Sequence, residues 1–159
     1  GGVSVGEGDH IKPAVAAEGR IGLWQVAIKP GKPLAFGSVR RADGGETLFM
    51  GLPGNPVSSF VTFLLAVAPV LRVMQGMATA LPEALPLQAH FDWPRPDLRR
   101  EFLRVRRNAA GGLDLFANQS SGVLTSAVWA DGLVDNPPGR AIANGDVVAY
   151  RPLAALIGS

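Results

Sequence analysis

The chain has 159 residues, 47% of them hydrophobic and 18% charged, enough for one ordinary domain or two small ones with a real core, so wholesale disorder is excluded. The absence of cysteine excludes a disulfide scaffold, a thiolate zinc site and a cysteine nucleophile, and it fits a reducing compartment such as the cytoplasm. Fifteen Lys and Arg against 13 Asp and Glu leave a formal charge of +2, too small to imply nucleic acid, and the apolar run 60–71 is shorter than the roughly 20 residues of a membrane span.

In chain order, Gly1-Gly2-Val3-Ser4-Val5-Gly6 has neither the basic nor the apolar region of a signal peptide. It reads as the loop after a strand that is not there, and the expectation is a polypeptide that continues upstream. Glu7 and Asp9 follow; they either offer Mg²⁺ oxygen ligands, or Asp9 caps a helix over 11–18 that Gly19 stops. Residues 21–28 read as a strand, and Lys29-Pro30-Gly31-Lys32-Pro33 as a rigid loop. Strands over 34–39 and 47–50 flank a turn at 42–45. Gly51-Leu52-Pro53-Gly54-Asn55-Pro56 then opens a helix over about 57–75, with Asn55 placed to cap it and Pro56 in the first helical position.

The pattern changes near residue 80. A Pro-rich linker at 81–86 leads to short strands near 87–93, 99–107, 112–117 and 146–151, and residues 121–130 stay ambiguous between loop and one or two helical turns. The fold class expected is therefore α/β, a partial layered domain over 1–79, followed by a small mainly-β domain over 80–159.

Three loops could carry chemistry. The helix start at Gly54, Asn55 and Ser58 offers backbone N–H groups, a close approach and a hydroxyl to an anion; the alternative is a well-capped helix behind a tight turn. Lys29 and Lys32 sit three residues apart on a proline-stiffened loop, either as solubilising lysines or as a preorganised pair of cations for an oxyanion. Six arginines crowd residues 95–107; alternation puts Arg100, Arg104 and Arg106 on one face and Arg99 and Arg107 on the other, read as a solvated face with one or two anion-binding members. Stacking aromatics are too few for nucleic acid, and His10 and His90 have no metal-ligand spacing.

Taken together, Gly-Gly-Val-Ser-Val-Gly with Asp9, Ile-Lys-Pro-Gly-Lys-Pro and Gly-Leu-Pro-Gly-Asn-Pro-Val-Ser resemble, in order and spacing, the molybdopterin molybdenumtransferase family, whose eukaryotic relatives include the E domain of gephyrin. The resemblance covers the whole chain: 1–79 look like the later half of a three-layer molybdopterin-binding domain, and 80–159 like the C-terminal β domain. It implies a transferase of molybdenum cofactor biosynthesis that inserts molybdate into adenylated molybdopterin with release of AMP, assisted by Mg²⁺. It implies Asp9 at the metal or the cleavage, Lys29 and Lys32 facing molybdate and phosphates, and Pro53 and Pro56 shaping a pocket wall. Gly2, Ser4, Gly54, Asn55 and Ser58 come with these loops, and Arg99 and Ser121 resemble an arginine and a serine of the molybdate pocket.

The family further implies a cytoplasmic homodimer supplied by a molybdopterin adenylyltransferase, with no nucleic acid and no membrane. Gln25 departs from the lysine that many members carry after the tryptophan. Because sites of the family lie between subunits and draw on upstream parts, these residues alone are expected to be inactive. Two other functions compete. One is a non-catalytic scaffold acting through the β domain; the other is a nucleotide-binding domain of the adenylyltransferase type.

Overall fold

The computed structural model of the protein describes residues 10–78 and 81–158. The candidate residues Gly2, Ser4 and Asp9 lie outside them. Helix α1 (Ile11–Glu18) forms where expected, but its N-cap position is His10, whose side chain makes no capping bond. Gly19 ends the helix in extended backbone and begins β1 (Gly19–Gln25).

The strand expected over 21–28 is two strands. β1 stays in an antiparallel sheet with β3 (Pro33–Arg40) and β4 (Glu46–Gly51), in the order β1-β3-β4. The chain then leaves that sheet, and β2 (Ile28–Lys29) pairs in parallel with a strand of the second half. The β-prone run is real, but the two ends of it find different partners.

The long helix runs from Pro56 to Met74 as α2 (Pro56–Thr62), a π turn over Phe63–Val67 and α3 (Ala68–Met74). Pro69 explains the widened turn: it has no N–H and its ring crowds the carbonyl one turn back, and a π turn relieves both. Asn55 stands at the N-cap as expected, though its side chain makes no cap bond, and Gly76 follows in left-handed backbone. These 19 residues are longer than the apolar run suggested and would pass as a membrane span by length and composition. Burial of Val57, Val61, Leu64 and Ala68 at helical spacing marks instead the stripe of a core helix, while Phe63, Leu71 and Met74 remain exposed on other faces.

The second half is a six-stranded sheet. β5 (Leu85–Gln88), β6 (Arg100–Arg107), β7 (Leu113–Leu115), β8 (Gly132–Asn136) and β9 (Val147–Pro152) join β2 in the order β2-β6-β8-β9-β5, with β7 on β6. A bridge between Ala89 and Leu113 brings the chain after β5 against β7 and curls the sheet round Leu103, Val105, Leu113, Val134 and Tyr150. Gly132 is required there, since a Cβ would lie 2.0 Å from the Tyr150 ring. The outer face of the same strands carries Phe102 and Leu133, which with Leu156 of the short helix α5 (Leu153–Ile157) pack on Val57, Val61 and Leu64. Each such fully buried aliphatic side chain contributes about 1.5–3 kcal/mol, so this contact firmly seats the long helix on the barrel.

The ambiguous stretch 121–130 resolves into a loop and one short helix, α4 (Thr125–Trp129). Arg100, Arg106 and Arg107 of this strand are exposed, as expected of a solvated face, and the exception is Arg104. Arg104 is fully buried and bonds Phe102 O, Ser126 Oγ and Ser120 O; burial alone pushes its pKa down to about 10, leaving it charged at neutral pH. Arg100 is paired with Asp135, Arg107 with Asp131, and Arg106 lies over the Trp129 ring. Alternation puts these side chains on the expected sides, where acids, carbonyls and a ring meet them.

Candidate functional site

Three loops meet where β2 joins β6. The Lys29–Pro33 loop leaves β2 and returns to β3, held by Val26 N–H donating to Lys32 O at 2.9 Å. Gly31 has φ +111°, and a Cβ would sit 2.5 Å from the Thr62 hydroxyl oxygen of α2, so only glycine lets this loop lie on the helix. The Pro53–Asn55 turn leads into α2, with Ser59 Oγ donating to Pro53 O. The third loop, 118–121, is fastened to β6 by one side chain: Gln119 Oε1 accepts from Arg104 N–H at 2.9 Å, and Gln119 Nε2 donates to Arg104 O and Phe116 O. Ser121 O in turn accepts the Val57 N–H at 3.3 Å, tying this loop to the start of α2.

Between them lies a pocket of about 570 Å³. Its walls include eight residues singled out from the sequence: Lys29, Lys32, Pro53, Gly54, Asn55, Ser58, Arg99 and Ser121. Pro56 is not among them; as the first residue of α2 it is exposed and turned away from the pocket lining. Pro30, Gly31, Pro33, Gln119 and Ser120 complete the wall.

The electrostatics differ from a simple pair of free lysines. Lys29 Nζ lies 3.3 Å from Asp97 Oδ2 and 3.5 Å from Glu101 Oε1, and Glu101 is only 1% exposed. Glu101 Oε2 accepts from Trp93 Nε1 at 2.8 Å and Asn136 Nδ2 at 3.4 Å, so the carboxylate is fixed from behind. Asp97 takes Arg99 in a fork, Nε to Oδ1 at 2.9 Å and Nη2 to Oδ2 at 2.8 Å, and also accepts the Arg99 backbone N–H. The Arg99 guanidinium and N–H, then Lys29, hold the Asp97 carboxyl well below the ordinary carboxylate range. The same contact raises the Arg99 pKa, so the arginine stays charged.

Lys32 is exposed and has no ion pair among the described residues. Three cations and two carboxylates therefore leave the pocket formally one positive charge in excess, and Lys32 presents it to solvent. The helix start gives fewer donors than expected: Pro56 has no N–H, Val57 donates to Ser121 O and Ser59 to Asn55 O. In the first turn this leaves the Ser58 amide and its hydroxyl.

Asp97, Glu101 and Gln119 are the members that sequence reasoning missed. The first two stand two residues before and after Arg99, so an arginine singled out as an anion ligand already had its own counter-charges at strand spacing. No group of three or more His, Asp or Glu side chains suited to a metal occurs among the described residues.

Two family models match the chain in succession. Residues 1–73 match a family model described as "Probable molybdopterin binding domain", and 86–153 one described as "MoeA C-terminal region (domain IV)". Molybdopterin molybdenumtransferase of Haemophilus influenzae is 50% identical over 76 residues, 48% of this chain and 18% of that protein. The molybdenum cofactor synthesis protein cinnamon of Drosophila melanogaster is 38% identical over 144 residues, 86% of this chain and 23% of that one. Molybdopterin molybdenumtransferase of Nostoc is 30% identical over 146 residues, 88% of this chain and 33% of the relative. The crystal structure of a molybdopterin biosynthesis moeA protein from Pyrococcus horikoshii superposes with a TM-score of 0.63 at 24% identity, over 82% of this chain and 31% of that one, a likeness of fold. The chain thus spans from under a fifth to about a third of the length of these proteins.

Proposed function

The chain belongs to the molybdopterin molybdenumtransferase family, and on that premise we propose that its pocket between the two halves binds molybdate and the phosphates of adenylated molybdopterin, as part of an enzyme that inserts the metal and releases AMP. The observation that carries the reading is the convergence of Lys29, Lys32, Gly54, Ser58, Arg99 and Ser121 on one pocket, although they are spread over more than ninety residues of sequence.

Each residue has a physical part in it. Lys32 draws the oxyanion in and donates to it; an ammonium on a proline-stiffened loop loses little freedom in doing so. Lys29 and Arg99 are cations whose positions Asp97 and Glu101 fix, so their charge is in place before the anion arrives. Gly54 lets an oxygen approach the backbone, and the Ser58 and Ser121 hydroxyls donate hydrogen bonds beside the charges. When molybdate enters, its two negative charges outweigh the single excess positive charge, so a further cation is needed to complete neutrality.

Mg²⁺ would supply that charge and stabilise the AMP phosphate as the phosphoanhydride is cleaved. The described carboxylates do not suit it, because Asp97 is forked to Arg99 and Glu101 is held by Trp93 and faces Lys29. A magnesium role belongs in this proposal to Asp9 alone, which lies outside the described residues. A homodimeric, cytoplasmic holoenzyme fed by a molybdopterin adenylyltransferase is part of the same proposal.

Titration of the 159-residue chain with molybdate tests the binding. Saturable binding that Lys32→Ala weakens about tenfold or more is the expected result. No saturable binding, or binding indifferent to Lys32→Ala, overturns the pocket. In the longer protein, the same substitution should slow molybdate-dependent AMP release on the order of 10²-fold.

A further inference from the structure

A second cavity, of about 400 Å³, lies on the other side of the β2–β6 pair. Alternation along these strands divides the two: Lys29 and Arg99 line the anion pocket, whereas their neighbours Ile28 and Arg100 line this one. Its body is apolar, formed by Val26, Ile28, Leu34, Leu65 and Phe102. Its charged end is a cluster round the buried Asp135, with Arg151 largely covered and Arg100 half exposed. Asp135 accepts Arg100 Nε at 2.5 Å and Nη2 at 3.2 Å, and Arg151 Nε at 2.9 Å.

Two guanidiniums on one carboxylate leave the cluster with a net positive charge. Arg151 Nη1 is spent on Pro82 O, but Arg100 Nη1 and Arg151 Nη2 have no partner among the described residues. Thr62, which is 2% exposed, forms part of the wall, and its hydroxyl has no hydrogen-bond partner. That oxygen has almost no accessible surface and lies against Gly31, so an occupant is called for by the charged end of an otherwise apolar cavity. An inorganic oxyanion would find few donors along these walls, and a bare hydrocarbon would leave the charge unanswered.

We propose that this cavity is a binding site for a small organic monoanion, a carboxylate or sulfonate on an apolar aromatic or branched frame. The head group lies on Arg100 and Arg151, and the frame rests against Ile28, Leu65 and Phe102. The site stands independently of what occupies the pocket in front of it.

The probe is 8-anilino-1-naphthalenesulfonate, titrated by fluorescence into the folded 159-residue chain. One saturable site is expected. Arg100→Gln should raise its Kd about tenfold, Leu65→Trp should fill the cavity and abolish binding, and Lys32→Ala should leave it unchanged. The neutral analogue N-phenyl-1-naphthylamine should bind at least about tenfold more weakly. Amide resonances of Thr62, Leu65 and Phe102 should shift on binding in the unaltered protein, a measurement that does not depend on either variant folding. Absence of a saturable site, equal affinity for the neutral analogue, or shifts confined to Lys32, Gly54 and Ser121 would overturn the proposal.

Discussion

The two sheets treat charge in opposite ways. In the three-stranded sheet β1-β3-β4 the ion pairs Arg20–Glu46 and Arg41–Asp43 lie at the exposed surface, and Ala35 and Gly51 are the fully buried positions among those described on its strands. In the barrel, β8 is buried throughout and β6 from Glu101 to Val105, and Glu101, Arg104, Asp135 and Asn136 are buried with them. The first half thus brings two lysines to the pocket on a loop, while the second brings the carboxylates that hold one of them, Lys29, still. A charge in water is easily satisfied and contributes little; a charge in the barrel wall is satisfied only in one arrangement, and so specifies it.

Substitutions in the barrel wall should therefore have large effects, and those in the first sheet small ones. Leu133→Ala removes a fully buried side chain shared by the barrel and the long helix, and about 4 kcal/mol of unfolding free energy should be lost in urea denaturation. A loss under 1 kcal/mol would mean that the helix does not depend on the barrel. Glu101→Ala leaves Trp93 Nε1 without its acceptor and takes one of two partners from the Asn136 amide and from Lys29. A loss of about 3 kcal/mol, together with weaker molybdate binding, is expected from the same melts and titrations.

Asp97 sharpens the contrast through pH. Its folded pKa is depressed, so its contribution is complete above the unfolded value of about 4 and is lost as pH falls from there toward the folded value. The stability gap between the protein and Asp97→Asn should be widest near neutrality and narrow between about pH 5 and pH 2. A gap that stays constant over that range would show that the ion pair contributes nothing. Smallest of all, Arg20→Ala should change stability by no more than about 0.5 kcal/mol, because its partner Glu46 is half exposed.

Much of the first half was legible because its signals are local. Proline and glycine marked the Lys29–Pro33 and Pro53–Asn55 loops, and helical spacing marked Val57, Val61 and Leu64. The same loops, with Arg99 and Ser121, carried the pocket. The barrel was less legible for a physical reason: its central strand β8 ends in Asp135 and Asn136 and is followed by two prolines, a pattern that reads as a turn. Those side chains are buried only because Arg100, Arg151, Glu101 and the Arg140 carbonyl are waiting for them, and no window of sequence around residue 135 contains the first three. Likewise Lys29 looked free because its partner acids lie about seventy residues away. Local pattern reveals where a chain bends; it is silent on which distant group answers a charge.

β2 is only two residues long, and Ile28 pairs with Arg100, roughly seventy positions further along the chain. Contacts spanning so much sequence close late, after the entropy of the intervening loop has been lost. On a ribosome, Lys29 and Lys32 emerge long before β6 exists, and the pocket has no third wall until Ser121 has left the exit tunnel. A nascent chain of this protein can therefore shape its first sheet early, but it acquires a place for an anion only after the second half has followed.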